Sequence, residues 1–192
     1  MSIRADDVRQ KLQQRLSNVQ REKLSGGGFL QAAVLVPLIR TGKGVDLLFT
    51  KRTDSVETHK GQISFPGGVV DQEDRDPVHT ALREAQEEIG LNAGEVETLG
   101  LLDDLATPTG FIITPVVGFL QQWPVLVVNE AEVAEVFSVP LEFFAGERHA
   151  ERELRIVHGK AHQVWVYKRD DHVIWGATAV IIRSLLRRLE SV

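Results

Sequence analysis

Arg83-Glu84-Ala85-Gln86-Glu87-Glu88-Ile89-Gly90-Leu91 is the stretch on which the reading of this chain turns. Positions three and four apart share a helix face, so on a helix Glu84, Glu87 and Glu88 converge on one side. Like charges so placed weaken an isolated helix by about 0.3 kcal/mol per pair. A hard divalent cation removes that repulsion, because Mg2+ and Mn2+ take oxygen ligands and tolerate several waters. Arg83, four residues before Glu87, can hold that carboxylate. Asp76 as N-cap, Pro77 at the first helical position and Gly90 at the end predict a helix running to about Ile89.

Working outward, Phe65-Pro66-Gly67-Gly68 precedes the helix as an extended segment ending in a glycine turn. Acidic clusters on helices are commonly solvated faces. A strand, a glycine loop and then an acidic helix is a different setting, because glycines let backbone approach a ligand and expose N–H groups to a phosphate. Further upstream, residues 29–39 and 45–51 read as strands flanking the hairpin signal Thr41-Gly42-Lys43-Gly44. Downstream, strands are predicted near Val96–Leu102, Ile112–Leu120 and Ala134–Val139, with a hairpin of His162–Lys168 and His172–Trp175 around Arg169-Asp170. A terminal helix over about Ala177–Leu189 aligns Ala179, Ile182, Leu185, Leu186 and Leu189 on one face. This order implies an α+β fold, a mixed β-sheet sandwiched between α-helices. Residues 2–24 read as an amphipathic helix capped by Ser2, with Val8, Leu12, Leu16 and Val19 at helical spacing. Ser25-Gly26-Gly27-Gly28 looks like a hinge, dividing an N-terminal helix (1–25) from a main domain (26–192).

Composition narrows the function. The chain has 192 residues, 43% of them hydrophobic, enough for one ordinary globular domain. Its 22 Lys+Arg against 27 Asp+Glu give a net charge of −5, which argues against gripping nucleic-acid phosphates. The absence of cysteine excludes a disulfide scaffold, a thiolate zinc site and a cysteine nucleophile. The N-terminus lacks the apolar stretch of a secretory signal, and no apolar run is long enough to span a bilayer, so a soluble cytoplasmic protein is expected. The six histidines lack zinc-ligand spacing, and no serine has an evident acid–histidine partner. Trp165 and Trp175 are expected in the core.

With those residues in view, the chain resembles the Nudix hydrolase family. The family box runs Gly, five residues, Glu, seven residues, Arg-Glu, an apolar residue, any residue, Glu-Glu, any residue, Gly and an apolar residue. Its second half matches Arg83 to Leu91 throughout. Gly68 is the counterpart of the box glycine, but fourteen residues separate it from Arg83 where the pattern has thirteen. Asp74 stands six positions past Gly68 and is the carry-over for the first box acid, with Glu73 as competitor. A second signature, Leu48-Phe49-Thr50-Lys51-Arg52-Thr53 through Gly61 to Phe65-Pro66-Gly67-Gly68, looks like the motif preceding the box in coenzyme A pyrophosphatases. There Glu57 stands where that motif has an arginine, and Lys60 or His59 could supply charge nearby. Thr107-Pro108-Thr109-Gly110, Ile113–Gly118 and Val173–Ala179 extend the likeness, which covers roughly residues 30–190.

The resemblance implies hydrolysis of a nucleoside diphosphate linked to another group, with Mg2+ or Mn2+ held by Glu84, Glu87 and Glu88. Glu84, Arg83 and Glu87 are the implied catalytic residues. The base is Glu84 or a loop acid among Glu130, Glu132 and Glu135. Arg52, Gly67 and Gly68 are the implied substrate contacts. The coenzyme A branch would give 3′,5′-ADP and 4′-phosphopantetheine. ADP-ribose, NADH or a nucleoside triphosphate are the rival substrates, and a non-catalytic nucleotide or coenzyme A sensor is the rival function. A homodimer could form through the N-terminal helix and the Gly26–Gly28 hinge.

Overall fold

The computed structural model describes residues 4–53, 61–146, 149–157 and 159–190. Ser2, Glu57, His59, Lys60 and His158 lie outside the described residues. Helix α1 (Ala5–Asn18) is followed by β1 (Leu30–Thr41), β2 (Gly44–Arg52), β3 (Ile63–Ser64) and β4 (Gly67–Val69). Helix α2 (Pro77–Ile89) leads to β5 (Glu97–Leu101), β6 (Leu105–Ala106), β7 (Phe111–Leu120) and β8 (Val133–Pro140). The short α3 (Leu141–Phe144), β9 (Ala150–Val157), β10 (Lys160–Arg169), β11 (His172–Trp175) and α4 (Ala177–Glu190) complete the order.

Eight strands form one mixed sheet, with β3-β2-β1-β7-β5 as its spine; β4 pairs with β1, β6 with β7 and β8 with β2. The central β1 and β7 run parallel from Leu30↔Phe111 to Ile39↔Leu120. Strand β1 is apolar almost throughout because helices cover both of its faces, as expected of a central strand. Val36 and Leu38 face one core with Val8 and Leu12 of α1 and Ile182 and Leu185 of α4. Ala33, Leu35 and Ile39 alternate onto the other, with Ala81, Ala85 and Ile89 of α2. The sheet thus lies between α2 on one side and α1 with α4 on the other, the sandwich predicted from the sequence. Strands β9, β10 and β11 form a separate antiparallel sheet in the order β11-β10-β9.

Two expectations shift. The N-terminal helix ends at Asn18, not near residue 24. Carboxylates of the β5–β6 connection hold the following segment extended: Asp103 accepts from the Glu22 amide and Asp104 from the Leu24 amide, each at 2.9 Å, and Arg21 pairs with Asp104. Helical continuation would forfeit all three contacts. Trp165 is half-buried and packs against the margin of the core, while Trp175 is half-buried outside it. Guanidinium groups lie over their rings: Arg183 at 3.7 Å and Arg152 at 4.3 Å from Trp165, and Arg155 at 5.1 Å from Trp175.

Candidate active site

Helix α2 begins as the sequence predicts. The Asp76 carboxylate accepts from the His79 amide at 2.8 Å, and Pro77 takes the first helical position. At the other end Gly90 adopts φ 68°, the left-handed conformation, and its amide bonds to Gln86 at 2.9 Å. A Cβ there would stand 2.8 Å from Val127 atoms, so only glycine fits. The segment after β7 runs against this helix end: the Val127 amide donates to the Ile89 carbonyl and the Asn129 amide to the Glu88 carbonyl, both at 2.9 Å. Asn129 then opens the turn that carries Glu132.

Strand β4 pairs with the edge of β1, Val34↔Gly67, Ala33↔Gly68 and Ala32↔Val69, and runs beside α2. A side chain on Gly67 would run into the β1 backbone, and one on Gly68 would overlap the Glu84 carboxylate. The Gly67 amide donates to Oε2 of Glu88 at 3.3 Å. Arg52, at the end of β2, brings Nη1 to 3.6 Å from Oε1 of the same carboxylate. The upstream motif and the helix motif therefore meet at Glu88.

Arg83 organises the rest. Its Nε and Nη2 donate to Oδ1 and Oδ2 of Asp74 at 3.1 and 2.9 Å, a bidentate pair. Its Nη1 donates to Glu84 at 2.9 Å and to Glu87 at 3.1 Å, and Nη2 also reaches the Val69 carbonyl at 3.2 Å. The Asp74 side chain is only 1% exposed and also meets Nδ1 of His79 at 2.8 Å. The Arg83 guanidinium holds its carboxyl well below the usual carboxylate range, and Asp74 raises Arg83 in return. Glu73, the competitor, is exposed. Asp74, and not Glu73, thus makes the bidentate contact with the arginine of the helix.

The three helix glutamates do not share one environment. The side chain of Glu88 is 6% exposed, that of Glu84 18%, and that of Glu87 57%, the last turned outward onto Arg83. Among the described residues, no three acids or histidines are gathered closely enough to ligate one ion as they stand. The chemistry of the donors nevertheless fits a hard cation. Burial pushes the Glu88 carboxyl up to about 7, opposed by Arg52 and the Gly67 amide and reinforced by Glu84 and Glu132. Burial raises Glu84 as well, against the pull of Arg83 and with Glu87 and Glu132 adding to the rise. A buried carboxylate and a partly buried one, neither fully compensated by its neighbours, are donors that a divalent ion would stabilise. Of the three loop acids, Glu132 is the one that acts electrostatically on both. Glu130 is exposed, and Glu135 pairs with Nε2 of His172 at 3.0 Å.

The Glu88 shift carries its own pH signature. A carboxyl whose folded pKa stands above its unfolded value of 4.5 keeps its proton longer in the folded state. Stability in EDTA should therefore fall as pH rises from about 4.5 to about 7, by roughly 3 kcal/mol from this group, and level off above. Melting temperatures of the wild type and Glu88→Gln, compared at pH 5 and pH 8, isolate the contribution. An equal pH dependence in both would rule it out.

Comparison with known proteins agrees with this architecture. The family model for the NUDIX domain matches residues 29–160. An uncharacterized Nudix hydrolase NudL from Photorhabdus laumondii is 40% identical, over 83% of this chain and 84% of its own length. The protein of the same name from Escherichia coli K12 is 37% identical, over 96% of this chain and 94% of its own. Among solved structures, a NUDIX hydrolase from Alicyclobacillus acidocaldarius shares the fold with a TM-score of 0.54 at 18% identity, over 84% of this chain and 92% of that one. A MutT/nudix family protein from Enterococcus faecalis gives a TM-score of 0.53 at 17% identity, over 90% of this chain and 66% of that one.

Proposed function

This chain belongs to the Nudix hydrolase family, and we propose that within it the protein hydrolyses the diphosphate of coenzyme A to 3′,5′-ADP and 4′-phosphopantetheine in the cytoplasm. The coarser activity, pyrophosphohydrolysis of a small nucleotide substrate, follows from the family. The coenzyme A reading is carried by one observation: Arg52 and Gly67, both from the motif preceding the box, meet Glu88 of the box itself. These contacts support counting that motif with the reaction centre. No helix among the described residues is long and apolar enough to cross a membrane.

A diphosphate repels an attacking water until its charge is neutralised. Glu84, Glu87 and Glu88 would hold Mg2+ or Mn2+, which when bound offsets that charge and makes water a better nucleophile. Arg52 lies beside Glu88 and can bind a diphosphate oxygen directly. Glu132, acting on both inner glutamates, is the base we favour, and Glu84 is the alternative. Water adds across the anhydride, one phosphoryl group taking its oxygen and the other leaving as a phosphate. Arg83 does no chemistry in this reading. It fixes Glu84 and Glu87 on the helix and anchors them to Asp74.

Product analysis tests the substrate. The purified protein is incubated with coenzyme A and, separately, with ADP-ribose and NADH, each with Mg2+, Mn2+ or EDTA. Metal-dependent release of 3′,5′-ADP, fastest from coenzyme A, is the expected result. AMP from ADP-ribose or NADH with coenzyme A untouched would retain the pyrophosphohydrolase and discard this substrate. Tight binding without metal-dependent turnover would point to a sensor.

A further inference from the structure

We infer that the free edge of β9 is a self-pairing surface, through which two copies of this chain join their small sheets into one six-stranded sheet. The small sheet runs β11-β10-β9, so β9 pairs on one side with β10 and, among the described residues, with no strand on the other. An eight-residue edge of unpaired amides and carbonyls is a template for another strand.

The side chains on this edge specify what that strand is. Leu154 and Ile156 are 76% and 79% exposed and, two residues apart, share one face of β9. Opposite them on β10 stand Gln163 and Ala161, which leave both side chains largely uncovered. Charges alternate around Leu154 in the order Glu151, Arg152, Glu153, Leu154, Arg155. Antiparallel pairing about a two-fold axis at Leu154 sets Leu154 against Leu154 of the second copy. It sets Glu153 against Arg155 and Arg155 against Glu153, and Arg152 against Ile156. Moving the axis one residue either way sets Glu153 against Glu153 or Arg155 against Arg155. Of these three registers only the one centred on Leu154 sets opposite charges against each other, and the occupant we name is a second copy of this chain.

Strands that guard a free edge usually carry charge facing outward to repel a partner. Here Glu153 and Arg155, which within one chain pair with each other at 2.9 Å while Glu153 also meets Lys168 at 2.6 Å, flank an exposed leucine with opposite sign, so across the two-fold they attract in the register that covers it. The apolar face of α1, the other place a dimer contact was expected, is buried in the chain's own core through Val8 and Leu12. The inference is independent of which substrate the enzyme takes. One strand and two apolar side chains per copy make less than a standard interface of about 800 Å2 per partner, so a dissociation constant on the order of micromolar is expected.

Sedimentation of the full chain from about 1 to about 300 µM reads the association. The expected result is a monomer–dimer equilibrium abolished by Leu154→Glu. Glu153→Arg and Arg155→Glu should each be monomeric alone, since each sets like charges against one another. An equimolar mixture of the two should dimerise, because every Arg then faces a Glu. Recovery in the mixture excludes misfolding as the cause of the single effects. A wild type that stays monomeric at the highest concentration overturns the inference, as does a dimer that survives Leu154→Glu or a mixture that stays monomeric.

Discussion

Glu88→Gln should lower metal-dependent turnover by roughly 1,000-fold while leaving the fold intact. A bound ion contributes several kcal/mol of charge stabilisation, and each 1.36 kcal/mol lost is tenfold in rate. Glutamine keeps the shape of the side chain and can still accept from the Gly67 amide. It loses the negative charge that faces Arg52 and would face the ion. Because that charge is buried at a cost, the variant should melt no lower than the wild type at pH 8 in EDTA. Loss of activity with retained or increased stability is therefore the signature. A variant turning over at near wild-type rate would remove Glu88 from the ligand set.

Asp74→Ala should act in the opposite sense, costing stability first. It leaves the Arg83 guanidinium without its bidentate partner in a site where the Asp74 side chain is 1% exposed. Breaking such a pair costs about 3 kcal/mol, which for a chain of this length lowers the melting temperature by about 10 °C. Turnover should fall as well, since Arg83 also holds Glu84 and Glu87. Asp74→Glu should recover part of both losses, whereas Glu73→Ala, at an exposed position, should change neither. Thermal melts and initial rates of the three variants check this. Equal effects from positions 73 and 74 would assign the contact wrongly.

Much of this was legible in the sequence because the signals were local. Asp76-Pro77 and Gly90 fix the ends of α2 through backbone chemistry that neighbouring residues do not override. The apolar run of β1 reads as a central strand because both of its faces are buried. Strand β9 was not legible. Its Glu and Arg residues have no strand preference, and pairing with β10 alone makes the segment extended. The different fates of the three glutamates were equally hidden. Helical spacing places them on one side, but only β4 and the segment after β7 determine that Glu88 is covered and Glu87 is not. Glu132 could be named only as one of three acids, because its nearness to α2 depends on a turn far away in sequence.

The two backbone bonds from Val127 and Asn129 to the end of α2 bear on how this chain can change over evolutionary time. Residues 127–133 are tied to the helix at one end and carry Glu132 near the other, so their number is fixed even where their identities are free. The stretch from Gly68 to Arg83 is under a looser constraint: it is one residue longer than the motif it resembles, and its aspartate reaches the arginine. Descendants of this sequence should thus drift by substitution alone on one side of the helix and by insertion or deletion as well on the other.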